Sequence, residues 1–368
     1  AWGDAAVICP WTLYLCYGDK RILEEQYDSM AAWVQYVRDQ GDDEYAWDTG
    51  FHFGDWLGLD AREGSYEGAT DKHYIATAYY AYSVSLMHKT AKALQRREDA
   101  ESYGRLHARI LAAFRKRYVA PDGRLTVRTQ TAHALAIAFG LVDGEVRRIA
   151  ADTLAELLHE RGDHLATGFV GTPYISHALS DTGHHDLAVK LILQTDYPSW
   201  LYPITKGATT IWEHWDGIKE DGSFWSPDMN SFNHYAYGAV GDWLYRQVAG
   251  IDTDEEQPGY KHIRMKPSPG PGLTWAEAAY LSPYGEIRSA WALRDGCLHV
   301  EVTIPPNATA DLTLPGAQAE SIRDSGIGPD RIEPIVREDG GVSGVKVQLG
   351  SGAYGFHYPF EAGQSLAN

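Results

Sequence analysis

The stretch Thr205–Tyr237 reads TKGATTIWEHWDGIKEDGSFWSPDMNSFNHYAY and brings acidic and aromatic residues close together in the chain. It places Glu213 and Asp216 among tryptophan and histidine residues, and it returns His234 at the start of an apolar run. Burial among aromatic side chains raises the pKa of a carboxyl group, which suits proton transfer near neutral pH. Flat aromatic faces also suit the C–H faces of a sugar ring. The stretch predicts a glycoside site, and the alternative is a set of core aromatic residues in a helical domain.

On the N-terminal side of this stretch, apolar residues recur at helical spacing. Pro10 suits a helix start, and Thr70-Asp71 suits an N-cap followed by an acidic first turn. Inner apolar helices that alternate with amphipathic outer ones predict stacked helical hairpins. The predicted helices cover residues 22–40, 70–94, 100–118, 131–142, 143–161, 172–180, 184–194 and, within and beyond the stretch, 235–248.

The pattern changes near Ile251, where glycine and proline become frequent and apolar residues alternate with period two. Asp295-Gly296 lies between two alternating runs and predicts a tight hairpin turn. We therefore expect a helical domain over residues 1–252 and an antiparallel β-sandwich over residues 253–368.

Three ordered motifs resemble those of the bacterial α-L-rhamnosidases, glycoside hydrolase family 78. They are Trp2-Gly3-Asp4-Ala5 followed by Pro10-Trp11, then Phe51-His52-Phe53-Gly54-Asp55-Trp56-Leu57, and finally Thr209–Gly217 with Ser231–Gly238. The resemblance covers essentially the whole chain. It implies an (α/α)6 helical barrel followed by a β-sandwich. We expect the barrel to lack its first helices, because the family's general acid precedes these motifs in an Asp-Glu-Arg sequence that is not found in that setting here.

The resemblance also implies roles for five residues. Glu213 would be the general base of an inverting mechanism, and His234 would contact the sugar. Trp2 and Trp56 would be walls of the pocket, and Asp55 would accept a hydrogen bond from a sugar hydroxyl. The alternatives are a structural carboxylate, a core histidine, two core tryptophans and a cap for the following turn.

Composition limits the classes of partner. The chain has 368 residues and a formal net charge of −18, which opposes binding to nucleic acid or to anionic membranes. Its three cysteines do not form a disulfide framework or a zinc motif, and no apolar run is long enough to cross a membrane. We expect no cofactor. The sequence predicts neither the oligomeric state nor whether the protein is cytoplasmic or secreted.

The leading prediction is a glycosidase that removes terminal α-L-rhamnose from glycosides or polysaccharides. This chain alone would be inactive if the segment with the general acid is missing. The alternative from another class is a non-catalytic carbohydrate-binding fragment or pseudoenzyme that keeps the pocket. A polysaccharide lyase is a weaker alternative, because lyases need a cation near the base and the central motifs offer none.

Overall fold

The structure is a computed structural model that describes residues 1–325, 327–336 and 341–360. Its first part is helical. The α-helices are α1 (Ala5–Tyr17), α2 (Arg21–Arg38), α3 (Lys72–Ala93), α4 (Arg97–Tyr118), α5 (Gln130–Ala138), α6 (Gly144–His159), α7 (Thr172–Ser180), α8 (His185–Leu193), α9 (Tyr202–Thr205) and α10 (Val240–Trp243). A 3-10 turn over Ala236–Ala239 precedes α10, and a π-helical turn over Leu244–Val248 follows it.

Inner and outer helices alternate as the apolar pattern predicts. Most residues of α3 are buried, whereas α4, which packs against it, buries one stripe that includes Leu106, Ile110 and Phe114. Helix α5 is likewise buried almost throughout, and its partner α6 buries one face. This arrangement confirms the helical hairpins of an (α/α)6 fold.

Local sequence signals predict only some of the helix ends correctly. The Asp71 carboxylate accepts a hydrogen bond from the Tyr74 N–H at 2.8 Å, so the N-cap of α3 is Asp71, one residue later than predicted, and Asp71 is not a residue of the first turn. The prediction for Pro10 was wrong, because α1 begins at Ala5 and contains Pro10 in its interior. The helix predicted over 235–248 is instead divided between 3-10, α and π turns.

The remaining chain forms two sheets. One has the strand order β1-β2-β6-β8-β7 and the other β3-β4-β5-β9. Arg294 pairs with Cys297 across the Asp295-Gly296 turn, whose residues both have positive φ, so the predicted hairpin is confirmed. The pair β2–β6 runs parallel, unlike the antiparallel pairs predicted throughout. The strands are β1 (Ile251–Thr253), β2 (His262–Met265), β3 (Trp275–Ser282), β4 (Gly285–Arg294), β5 (Cys297–Ile304), β6 (Thr309–Pro315), β7 (Ile332–Val336), β8 (Val342–Leu349) and β9 (Gly352–Pro359).

The chain divides into two compact units. The first comprises residues 1–12, 20–179 and 191–239, and the second comprises residues 13–19, 180–190 and those from 240 onward. The site described below lies entirely within the first unit. Over the described residues, no helix combines the length and the apolar character needed to span a membrane.

Candidate active site

Glu213 and His234 are brought together by backbone pairing between two segments. The Glu213 N–H donates to the Ser231 carbonyl at 2.8 Å, and the His234 N–H donates to the Ile211 carbonyl at 2.9 Å. The Ser231 N–H in turn donates to Glu213 Oε2 at 2.8 Å. These bonds close the base of a loop between the two segments. They fix the Glu213 carboxylate where the loop begins and place the His234 imidazole close to where it ends.

Both residues line a pocket of about 620 Å³, within the range of pockets that hold small ligands. Trp2 and Trp56 line the same pocket, so it unites four of the five residues selected from the sequence. Among the described residues that line it, Glu213 is the one carboxylate, and none is Lys or Arg. The further lining residues are Ala1, Ala5, Ile8, Cys9, Phe53, Tyr79, Phe169, Pro173, Tyr174, Tyr235, Ala236 and Ala239.

The imidazole of His234 is oriented by a ring and an amide. It stacks on Phe169 with ring centroids 4.9 Å apart and an interplanar angle of 23°. The Ala236 N–H donates to His234 Nδ1 at 3.3 Å, which assigns the ring proton of the neutral form to Nε2. In that tautomer, Nε2–H is a donor for a hydroxyl group of a ligand.

Trp56 and Trp2 are joined through a third aromatic residue. Phe53 lies 5.3 Å from Trp2 and 5.7 Å from Trp56, measured between ring centroids. Trp2 is 48% exposed and Phe53 is 45% exposed, so both rings present surface at the pocket and are not simply core residues. The wall of the pocket is therefore a contiguous aromatic surface.

Asp55 lies elsewhere, because its carboxylate points into the protein. Its side chain is 1% exposed and is not part of the pocket lining. One oxygen accepts from the Thr131 hydroxyl and from the Gly168 N–H, and the other accepts from the N–H groups of Val170 and Gly171. Burial raises the pKa of Asp55, and these hydrogen bonds oppose the rise. Such a placement does not support the hydroxyl contact expected from the sequence.

The same hydrogen bonds position part of the pocket. Phe169 lies in the loop that Asp55 holds, and its N–H donates to the Trp56 carbonyl at 2.9 Å. Sequence reasoning missed Phe169, because the bond from Gly168 to Asp55 spans 113 residues and leaves no local pattern. It also missed Phe53, although that residue stands in one of the three motifs.

The neighbours of Glu213 face a different cavity. His214 and Asp216 line a smaller space of about 70 Å³ together with Tyr66 and Trp225. His214 stacks on Trp225 at 3.6 Å, and its Nε2–H donates to the Met229 carbonyl at 3.1 Å. Burial lowers the pKa of His214 to about 4 and raises the pKa of Asp216. Glu213 and Asp216 therefore do not share one site.

No cluster of three or more potential metal ligands occurs among the described residues.

Comparison with known proteins assigns the family. The family model of the bacterial α-L-rhamnosidase six-hairpin glycosidase domain matches residues 1–248. The chain belongs to the bacterial α-L-rhamnosidase family. The family's C-terminal domain model matches residues 250–327.

The rhamnosidase relatives are longer than this chain. An α-L-rhamnosidase of Streptomyces avermitilis is 40% identical over 96% of the chain but only 32% of its own length. One from Formosa agariphila is 40% identical over 88% of the chain and 34% of its own length. The chain thus spans about a third of the length of these curated relatives.

Solved rhamnosidase structures share the fold. The S. avermitilis enzyme, solved in complex with L-rhamnose, superposes with a TM-score of 0.85 at 38% identity, covering 96% of this chain and 32% of that one. The Aspergillus terreus enzyme also gives a TM-score of 0.85, at 33% identity, covering 97% of this chain and 38% of that one.

Proposed function

We propose that this chain supplies the sugar pocket and the general base of a glycosidase that removes terminal α-L-rhamnose from glycosides or polysaccharides. The observation that carries the proposal is the Glu213 carboxylate in an aromatic pocket of a chain from the rhamnosidase family. Aromatic walls suit the apolar faces of a sugar, and a carboxylate that is held in place suits proton transfer.

In the proposed reaction, Glu213 takes a proton from a water molecule as that water attacks the anomeric carbon. The bond to the leaving oxygen breaks on the opposite face, and a second carboxylic acid protonates that oxygen. The configuration at the anomeric carbon is inverted. The two carboxyl groups of inverting enzymes are about 6.5–9.5 Å apart, which leaves room for the water.

The second carboxyl group must come from outside the described pocket lining, which holds only Glu213. We expect it in an Asp-Glu-Arg sequence that precedes the motifs of this chain, as the family resemblance implies. We therefore expect residues 1–368 alone to hydrolyse rhamnosides very slowly, because general acid catalysis contributes roughly 10²–10⁴-fold.

We assign the remaining residues to binding and positioning. His234 would donate a hydrogen bond to a sugar hydroxyl through Nε2, and Trp2 and Trp56 would contact the apolar faces of the ring. Asp55 becomes a positioning residue, because it holds the loop that carries Phe169 beside His234. His234→Ala should weaken binding more than turnover if its contact is equally strong in the ground and transition states.

A non-catalytic carbohydrate-binding role is the second candidate, and the presence of one carboxylate in the described pocket lining favours it. In that case, the complete protein would bind rhamnose without releasing it from glycosides. Activity of the complete protein therefore distinguishes the two candidates.

The test uses the protein encoded by the complete gene and an aryl α-L-rhamnoside. We expect Glu213→Gln to lower kcat by a factor on the order of 10²–10⁴ with little change in substrate binding, because the amide cannot accept the proton. Azide should partly restore turnover and give the β-configured glycosyl azide. Proton NMR of the wild-type reaction should detect β-L-rhamnose before mutarotation.

Glu101→Gln is the matched control, since it removes a carboxylate that is 73% exposed on α4. Near-full activity of Glu213→Gln would return Glu213 to a structural role. Initial release of α-L-rhamnose would show a retaining mechanism and overturn the inverting assignment.

A further inference from the structure

The sheet β3-β4-β5-β9 in the second unit has one exposed face. Residues alternate along its strands, so Trp291 and Val300 are buried on one side while their neighbours lie on the other. The register places four residues opposite one another on the exposed side, one on each strand in the order of the sheet: Trp275, Ala292, His299 and His357. We call this side of the sheet the outer face.

Trp275 is the most exposed tryptophan of the chain. The sequence contains 12 tryptophans, all within the described residues, and two of them are exposed. One is Trp2 at the pocket, and the other is Trp275, with an exposed fraction of 66%. An exposed indole forgoes the free energy that its burial would contribute to folding. Aromatic side chains supply a large, rigid contact area at a low cost in conformational entropy, which suits a binding surface.

Trp275 and His299 are the two sides of a shallow trough on the outer face. Their strands flank β4, which places their backbones about 9.6 Å apart, twice the spacing of neighbouring strands. Between them β4 presents Ala292 and, two residues earlier, Ala290. Since an alanine side chain ends at Cβ, the floor of the trough stays low and leaves the Trp275 ring accessible. This shape suits a ligand built from flat rings.

Hydrogen-bonding groups border the trough. The rings of His299 and His357 lie 6.0 Å apart at an interplanar angle of 17°, and a neutral imidazole both donates and accepts hydrogen bonds. In the next row, Glu277 and Glu301 lie on the two strands that flank β4. The Arg288 guanidinium donates to the Glu277 carboxylate. A ligand rich in hydroxyl groups would find both donors and acceptors beside the indole.

The charges of the outer face favour an uncharged ligand. The ionised side chains on this side of the four strands are the carboxylates Glu277, Glu286 and Glu301 and the guanidinium groups Arg288 and Arg294, all exposed. Because opposite charges nearly cancel, the face gives no long-range attraction to an anionic or a cationic polymer. The net charge of −18 on the chain also opposes an anionic one. A neutral carbohydrate has the flat C–H faces and the hydroxyl groups that match this surface.

We propose that the outer face binds a neutral polysaccharide chain, with one sugar ring stacked on Trp275 and neighbouring hydroxyl groups bonded to His299 and Glu277. This site shares no residue with the pocket and takes no part in bond cleavage. It goes beyond the proposed function and does not depend on it, because binding requires no hydrolysis. Its role would be to keep a polymeric carbohydrate close to the protein.

The experiment measures how strongly soluble polysaccharides retard the complete protein in native gels. The probes are arabinoxylan and galactomannan, which are neutral, and polygalacturonate, which is anionic. Each variant is compared with the wild type in the same gel, so that any contribution from the pocket is equal for both. We expect a neutral polymer to retard the wild type and Trp275→Ala to raise the dissociation constant about three- to tenfold, the value of one aromatic contact. Trp275→Tyr keeps a flat ring and should retain most of the binding.

Leu281→Ala is the matched control. Leu281 lies on the same strand and the same face, and its exposed fraction of 80% is even higher than that of Trp275. It offers apolar surface but no flat ring, so we expect this variant to bind as the wild type does. Binding should also shift the tryptophan fluorescence of the wild type to the blue, and this shift should be much smaller for Trp275→Ala. Hydrolysis of a small aryl rhamnoside should be equal for Trp275→Ala and the wild type.

Four results would overturn the proposal. If neither neutral polymer retards the wild type, the outer face does not bind such chains. An equal loss for Leu281→Ala would show non-specific apolar adsorption, and retardation by polygalacturonate that depends on Trp275 would show an anionic ligand. A change of oligomeric state for Trp275→Ala in gel filtration would show that a second copy covers the face. A wild type that hydrolyses no rhamnoside would contradict the proposed function but would leave the result of the binding test valid.

Discussion

At the scale of single residues, Asp55 accepts hydrogen bonds from a hydroxyl and three amides while almost fully buried. Asp55→Asn keeps the size of the side chain but presents an NH2 group to some of these donors. We expect a loss of roughly 1.5–3 kcal/mol in the free energy of unfolding, the value of hydrogen bonds to a charged group. Thermal unfolding and the KM for rhamnosides should be measured together.

The matched control is Asp28→Asn on the exposed face of α2. A higher KM for Asp55→Asn with unchanged stability would indicate a direct contact between Asp55 and substrate, contrary to the positioning role.

Buried histidines give the protein a defined response to acid. His133 is buried in α5, its Nδ1–H donates to the Thr129 carbonyl at 2.8 Å, and burial lowers its pKa to about 4. Histidine in an unfolded chain has a pKa of about 6.5. Between these values the unfolded state binds a proton that the folded state does not, so stability falls as the pH drops from about 6.5 to about 4.

His133→Gln removes this proton uptake, and we expect its unfolding midpoint to depend less on pH between 7 and 5. The slope of the free energy of unfolding against pH should fall by at most about 1.4 kcal/mol per pH unit. His357→Gln, at an exposed position of β9, is the control. A His133→Gln protein that loses stability as steeply as the wild type would contradict this account.

At the scale of elements, the loop around Gly168 packs against the segment of Trp56 without space for a side chain. A Cβ at Gly168 would lie 2.2 Å from the Trp56 carbonyl oxygen and 2.6 Å from the Gly58 nitrogen. We expect Gly168→Ala to separate the two segments and to cost about 1–3 kcal/mol, as overpacking does. Thermal unfolding and rhamnose affinity should both decrease.

Gly241→Ala in α10 provides the control, because no atom lies within 4 Å of its added Cβ. Equal melting temperatures for Gly168→Ala and the wild type would show that the loop can move without cost.

The same elements show what a sequence can predict. Helix α2, the start of α3 and the Asp295-Gly296 turn depend on residues a few positions apart, and all three were predicted, although the cap of α3 lies one residue later than predicted. Glu213 and His234 were found as a pair because one motif contains both.

Phe169 and the burial of Asp55 depend on contacts between distant segments, which no local pattern encodes. Pro10 was misplaced because α1 continues through a residue that usually marks a start.

At the scale of the whole molecule, the domain boundary between residues 252 and 253 stays a prediction. The second compact unit provides a test of it. Residues after 253 form hydrogen bonds with earlier residues of that unit. The Trp291 indole N–H donates to the Val248 carbonyl at 2.8 Å, and the Gly259 N–H donates to the Leu15 carbonyl at 2.8 Å. We expect the isolated segment 253–368 to lack a sharp cooperative unfolding transition, because it does not contain the hydrogen-bond partners Val248 and Leu15. A sharp calorimetric transition for that segment would support the predicted boundary.

The backbone pairing at Glu213 has a consequence for how this family diversifies. The hydrogen bonds from Glu213 to Ser231 and from His234 to Ile211 close the base of the loop between these segments. The tip of the loop, near Asp221 and Gly222, is exposed. Lengthening a flexible loop costs only about 0.6 kcal/mol for each doubling of its length. Insertions at the tip can therefore accumulate during evolution, or be introduced in a library, while the Glu213 carboxylate keeps its position.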